Sequence, residues 1–241
     1  MLFKNYYYLA LASLSKKLGR GKYYRKNLFS TRRILEKNFP VASNFCFLQV
    51  GANDGVSFDS LYSFVTQRKI SGIAIEPIGE YYHELCENYK QYTNIVCVNK
   101  AVHETETTAT IYRIDSKETE QYPDWVKGIA SFNKEHLTKF EFIDFSHIIA
   151  ETVEAAHLMD IVSKTSFTAF DYFQIDTEGY DFKVINMFDF TNYKPKMVKA
   201  EYINLSDLEK KAITRKLKDE GYYVFLQGLD IIGINLRKIK L

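Results

Sequence analysis

Hydrophobic and polar positions along this chain follow two rhythms. Short apolar runs at 45–50, 72–76, 94–98, 171–175 and 197–201 have the length and composition of strands. Between and after them lie stretches with helical spacing at 57–68, 79–90, 156–164, 181–188 and 206–220. Strands that alternate with helices predict parallel pairing through right-handed crossovers. The last stretch, YYVFLQGLDIIGINL, predicts two strands joined at Gly228, an antiparallel closure. Residues 103–155 break the alternation. Strands are predicted at 107–114 and 148–153, and the connection 122–132 carries the only tryptophan, Trp125, and Gly128. A connection of that length is more often functional than idle. It is expected to form a substrate-side flap, with Trp125 and Ser131 facing the crevice; a plain β-arm covering the sheet edge is the alternative.

The most informative segment is FCFLQVGANDG, residues 45–55. An apolar strand enters a turn flanked by Gly51 and Gly55, and about twenty residues on the strand GIAIE ends in Glu76. This is the layout of a nucleoside-binding half of a doubly wound sheet. The glycine spacing is neither the G-x-G-x-x-G of NAD proteins nor a P-loop. Acidic Asp54 beside Asn53 disfavours a pyrophosphate and suits a cofactor with positive charge, such as the sulfonium of S-adenosylmethionine. Glu76 is placed to accept the ribose hydroxyls. A purely structural turn remains the plainer alternative. A second cluster, YFQIDTEGYD, ends another strand in Asp176, followed by Glu178 and Asp181, and the strand MVKAE ends in Glu201. If the strands are parallel, Glu76, Asp176 and Glu201 share one sheet edge, where open α/β sheets bind ligands.

With these segments in hand, the chain resembles the FkbM family of S-adenosylmethionine-dependent methyltransferases. The resemblance lies in FLQVGANDGVSFD, GIAIEP, FDYFQIDTEGYDFKVI, KAEYINLS and GYYVFLQGLDIIGIN, and spans roughly residues 44–236. It implies a Rossmann-like class I methyltransferase fold: a mostly parallel seven-stranded sheet, a C-terminal antiparallel hairpin and helices on both faces. It implies O-methylation, with sugar, glycan or polyketide hydroxyls as acceptors. By motif position, Gly51, Asn53, Asp54 and Gly55 correspond to the cofactor loop and Glu76 to the ribose ligand. Asn99 and Ala101 fall near the adenine. Asp176 and Glu178 fall beside the reacting centre, with Glu201 assisting. Tyr180 intervenes before Asp181, which puts a role for Asp181 in doubt. Asp176 is the expected base. The clustered acids also suit Mg²⁺, which prefers oxygen ligands. His103, His136, His147 and His157 offer rival bases, though none ends a strand, and a surface or capping place is the plainer expectation for each.

Composition narrows the picture. The 241 residues, 46% hydrophobic, suffice for one α/β domain over residues 44–241. Aromatic residues, 15% of the chain, suit packing and sugar stacking. Cys46, Cys86 and Cys97 have no paired spacing, which argues against disulfides or zinc and for a reducing, cytoplasmic home. The net charge of +2 conceals a strong asymmetry. Residues 1–37 hold ten Lys or Arg against one acid, Glu36, while the remainder holds 22 basic and 29 acidic residues. Residues 1–43 are therefore expected to form a basic helical arm, with an apolar run at 5–15 and a second helix over 26–38. That run is too short to cross a bilayer. It suits either packing on the domain or lying on the inner face of an anionic membrane. No reader motif accompanies the charge, so nucleic acid is not expected as a partner. Two other functions fit less of the pattern: an NAD-dependent sugar oxidoreductase or epimerase, and a non-catalytic membrane-surface partner.

Overall fold

The structure is a computed structural model that describes residues 1–20, 28–57 and 61–241. Parts of the expected N-terminal arm (21–27) and of the helix expected at 57–68 (58–60) lie outside the described residues. Seven strands form the main sheet: β1 (Asn44–Val50), β2 (Lys69–Ile75), β3 (Ile95–Val98), β8 (Tyr172–Ile175), β9 (Met197–Glu201), β10 (Tyr223–Gln227) and β11 (Asp230–Ile234). Their order is β10-β11-β9-β8-β1-β2-β3. Every pair from β9 to β3 is parallel, and β11 runs antiparallel to both β9 and β10. This is the parallel, hairpin-closed sheet that the strand pattern predicts, and the Rossmann-like fold that the resemblance implies.

The central strands are apolar on both faces because both faces are covered. From β1, Phe45 and Phe47 enter one core, and Leu48 and Val50 the other. A one-residue slip would exchange the two sets, so the register is firmly specified. Against the Phe45 face pack α1 (Leu2–Lys17), α2 (Thr31–Asn38), α3 (Leu61–Val65) and α4 (Gly79–Tyr89). Against the Leu48 face pack α6 (Leu158–Ser163), α7 (Asp181–Met187) and α9 (Asp207–Asp219). Each fully buried large aliphatic or aromatic side chain contributes roughly 1.5–3 kcal/mol. The α9 helix starts at a capping box formed by Ser206 and Glu209. The α8 turn (Phe190–Tyr193) links α7 to β9.

The irregular middle builds a second, four-stranded sheet. It contains β4 (Ala101–Val102), β5 (Thr108–Ile114), β6 (Ala130–Ser131) and β7 (Ile148–Ala156), in the order β4-β7-β5-β6. A short helix, α5 (Glu135–Thr138), follows β6. The N-terminal helix α1 packs on the domain, one of the two placements its sequence suits. Asn5 is buried and donates to the carbonyls of Leu236 and Ile239, at 2.8 and 2.6 Å, while Leu241 N–H donates to its Oδ1.

Candidate active site

The parallel strands β1, β2, β8 and β9 all end at one edge of the sheet, and a cavity of about 570 Å³ opens there. Glu76, Asp176 and Glu201 all line it, as do Gly51, Asn53, Ala101, Trp125 and Glu178. Three tight turns deliver these groups. Gly51 has φ +76°, and a Cβ there would lie 1.8 Å from the Asp176 carbonyl oxygen. Sequence reasoning expects this glycine to admit a ligand. The structure shows that its missing side chain lets the ends of β1 and β8 meet. Asn53 and Glu178 occupy left-handed backbone conformations, φ +50° and +51°. Such conformations are uncommon for residues with a Cβ and cluster at functional turns.

The carboxylates differ in what holds them. Glu76 is buried and accepts the backbone N–H of Asn53 at 2.8 Å and of Ile78 at 3.0 Å. Desolvation outweighs those bonds and pushes its carboxyl up to about 7. Asp176 protrudes into the cavity with protein around most of it, and its side chain makes no hydrogen bond among the described residues. Burial, then the neighbouring Glu201, Asp181 and Glu178 carboxylates, raise it well above the usual range; Lys199 opposes them. Burial and Glu178 push Glu201 up to about 8. Oxygens of Asp176, Glu178 and Glu201 lie within 4.8 Å of one another, a set an oxygen-seeking dication would accept.

A ring of side chains from three segments steadies this cluster. His136 Nε2 lies 2.8 Å from Glu178 Oε2, and Lys139 Nζ lies 3.2 Å from His136 Nδ1. An ammonium can only donate, so Nδ1 accepts and the ring proton sits on Nε2, facing Glu178. Lys139 also donates to Asn204 Oδ1 at 2.8 Å. Asn204 Nδ2 closes the ring, donating to Glu178 Oε2 at 2.9 Å and to Glu201 Oε2 at 2.8 Å. Beneath it, Asp181 is fully buried and accepts from Thr177 N–H, Thr177 Oγ1 and Glu201 N–H. Its burial pushes its carboxyl up to about 6. The residue that sequence reasoning left without a role ties the β8 turn to the end of β9.

Other expected site residues stand outside the cavity. Asp54 commits its oxygens to Val56 N–H, Ser57 N–H and Ser57 Oγ, so it braces the turn rather than facing a cationic ligand. The open side of Gly55 faces Leu85 and Tyr89 of α4. Asn99 donates to the carbonyls of Glu76 and Pro77, leaving Ala101 as the cavity residue of that pair. Ser131 is buried and donates to the Glu178 carbonyl at 2.9 Å, holding the strained turn instead of meeting the crevice. Trp125 does line the cavity and packs edge-on against Phe140 and Phe142. His157 caps α6, and His147 bonds to Tyr122, as expected of non-catalytic histidines. His136 is the exception. Sequence reasoning offers His136 only as a rival base and misses Lys139 and Asn204, because the insertion carries His136 and Lys139 to the end of β9, where Asn204 stands, and spacing carries no signal of that.

Comparison with known proteins bears on this geometry. The model of the methyltransferase FkbM domain matches residues 49–224. No curated protein matches. Among solved structures, the chain is similar to the methyltransferase FkbM from Methylobacillus flagellatus KT, at 14% identity and TM-score 0.48, covering 80% of this chain and 44% of that one. The chain thus spans less than half of that protein's length. It is also similar to precorrin-6y C5,15-methyltransferase from Geobacter metallireducens GS-15, at 11% identity and TM-score 0.41, with 84% of each chain covered. A third is the fibrillarin pre-rRNA processing protein of Methanococcus jannaschii, at 10% identity and TM-score 0.40, covering 81% of this chain and 68% of that one.

Proposed function

The chain belongs to the FkbM methyltransferase family, and from that premise we propose that it moves a methyl group from S-adenosylmethionine to a hydroxyl oxygen, with a sugar of a surface glycan as the acceptor class. The observation that carries this reading is the convergence of Glu76, Asp176, Glu178 and Glu201 on one cavity at the strand ends. The donor set fits the cofactor. Glu76 stands at the end of β2, where a ribose diol would meet a carboxylate with acceptor capacity beyond its two backbone partners. The acids of β8 and β9 suit a cationic sulphur and disfavour a pyrophosphate. The cavity is of the size that small-molecule sites occupy, and Trp125, Phe132 and Phe140 supply flat apolar walls.

When bound, S-adenosylmethionine supplies an electrophilic methyl group. The chain's own residues must then position the acceptor, exclude water and take one proton. Positioning alone contributes about 7–11 kcal/mol in favourable cases. Asp176 is the group free to take the proton, because Glu178 and Glu201 are both engaged by Asn204. Its carboxyl is raised by its surroundings, the direction that strengthens a base, and a positioned general base typically contributes 10²–10⁴-fold. Glu178, fixed by His136 and Asn204, orients the acceptor beside it.

Calorimetric titration with S-adenosylhomocysteine and, separately, NAD⁺ tests the reading. The first is expected to bind and the second not. The Asp176→Ala variant should keep S-adenosylhomocysteine affinity within a few-fold and lose methyl transfer to glycan acceptors. Binding of NAD⁺ alone, or full turnover by the variant, would overturn it. Loss of turnover in EDTA, restored by Mg²⁺, would add a metal at the three carboxylates.

A further inference from the structure

The helix α1 is apolar on two opposite faces. One face docks: Asn5 and Ala12 are buried, and Leu2 and Leu9 pack on the core beside them. The other carries Phe3, Tyr7, Ala10 and Leu14 at steps of three and four residues, which places them on one stripe. Tyr6 lies beside the stripe and Leu18 continues it past the helix end. Phe3 is 92% exposed, Tyr7 61%, Leu14 54% and Leu18 69%. A helix apolar nearly all round belongs between two partners. The domain is one of them.

Charge indicates the second. Lys4 and Lys17 are exposed beside this stripe, Lys16 and Arg20 are exposed at and beyond the end of the helix, and the first 35 residues contain no acid, in a chain that has 30. Aromatic rings flanked by lysines are the composition of a helix that lies in a headgroup layer. The lysine stems cover apolar surface while their ammonium groups reach phosphate. Among the described residues no helix is long and apolar enough to cross a membrane. We propose that the outward face of α1 seats this protein on an anionic bilayer surface, with the helix lying in the plane of the interface.

The fold then sets which way the cavity looks. Asn5 holds α1 to the chain's C-terminal tail at Leu236 and Ile239. That tail leaves β11 at Ile234, which pairs with Met197, the first residue of β9. The anchor therefore joins the sheet at the edge where the parallel strands begin, and the cavity lies where they end. A bilayer bound through α1 therefore meets the domain away from the strand ends that open the cavity. The acceptor reaches the site from the aqueous phase rather than from the membrane carrying the enzyme.

Flotation of the full chain with vesicles tests the anchor independently of any methyl transfer. Binding is expected to vesicles of phosphatidylcholine with phosphatidylglycerol and not to phosphatidylcholine alone, and should fall at least about tenfold at high salt. The Phe3→Ser/Tyr7→Ser/Leu14→Ser variant should lose flotation at least about tenfold with an unchanged melting curve. The Lys4→Glu/Lys16→Glu/Lys17→Glu variant, altered only at exposed positions, should do the same. Failure of the natural chain to float, or flotation of either variant equal to that of the natural chain, overturns the proposal. So does a concentration-dependent dimer that the first variant dissolves while neither protein floats; that would make a second copy the occupant. The single tryptophan, Trp125, reports orientation. Spin-labelled lipids should leave its fluorescence intact and aqueous iodide should quench it; quenching by the lipids would reverse the orientation.

Discussion

Asp176 and Glu178 leave the same strand end two residues apart, yet only Glu178 is clamped from outside the sheet. Its oxygen lies 2.8 Å from His136 and 2.9 Å from Asn204, and Lys139 fixes the orientation of both partners. Hydrogen bonds to charged groups contribute about 1.5–3 kcal/mol, which corresponds to roughly 10–100-fold in rate if the bond matters in the transition state. His136→Phe is therefore expected to lower kcat by about that factor. Because His136 touches Glu178 and not the nucleoside end, S-adenosylhomocysteine affinity should stay within a few-fold. A change confined to binding would remove His136 from any positioning role. Glu76 makes the opposite prediction. Its two oxygens already accept two backbone N–H groups, and Glu76→Gln sets an amide N–H₂ against one of them. The amide also offers a ribose diol one acceptor fewer, and a hydrogen bond to a charged group contributes about 1.5–3 kcal/mol. Calorimetry should show weaker S-adenosylhomocysteine binding by about 10–100-fold, by the same conversion. Unchanged affinity would detach Glu76 from the cofactor.

At the scale of elements, the site depends on how closely strand ends approach one another. Asp181 begins α7 and reaches back to Thr177 and forward to Glu201, so one buried carboxyl sets the spacing of the β8 and β9 turns. Asp181→Ala leaves these N–H and O–H groups without that acceptor, at about 1–3 kcal/mol each if they stay buried. The variant should melt several degrees lower by differential scanning calorimetry and lose activity; a melt within one degree would show that the turns hold without it. Sequence alone could locate the strands, the helices, the closing hairpin and the acids at three strand ends, because both-face burial and period-3.6 spacing are local signals. The polar turns were harder. Asp54 has the right residue type in the right loop, yet an Asx-type turn consumes it locally, and Ser131 is spent on the Glu178 carbonyl. Local backbone bonding competes with ligand binding for the same side chains, and residue spacing does not reveal which wins. His136 and Asn204 lie 68 residues apart and meet only through the insertion.

For the molecule as a whole, the acids at the sheet edge link stability to pH. Burial holds Glu76, Asp181 and Glu201 up to about 7, 6 and 8, and raises Asp176 as well. Unfolded, all four would titrate near 4–4.5. Folded, they keep protons that the unfolded chain releases, so their neutral forms favour the fold. That contribution is fully present below the unfolded values and is lost as pH rises through about 6 to 8. Lys199 faces the cluster and opposes the rise at Asp176, softening the loss without reversing its sign. Each pKa unit is worth about 1.4 kcal/mol, more than a typical exposed ion pair at about 0–1 kcal/mol. The ligand-free protein should therefore melt at least about 5 °C lower at pH 9 than at pH 6. A cationic ligand meets the opposite trend, since ionised carboxylates attract it. S-adenosylmethionine carries one more positive charge than S-adenosylhomocysteine, so the melting shift it produces should exceed that of the neutral-sulphur product by a margin that widens from pH 6 to pH 9. Parallel melting curves with the two ligands across that range would measure the margin. A margin that stays flat or narrows would mean that the sulfonium does not sit beside Asp176 and Glu201.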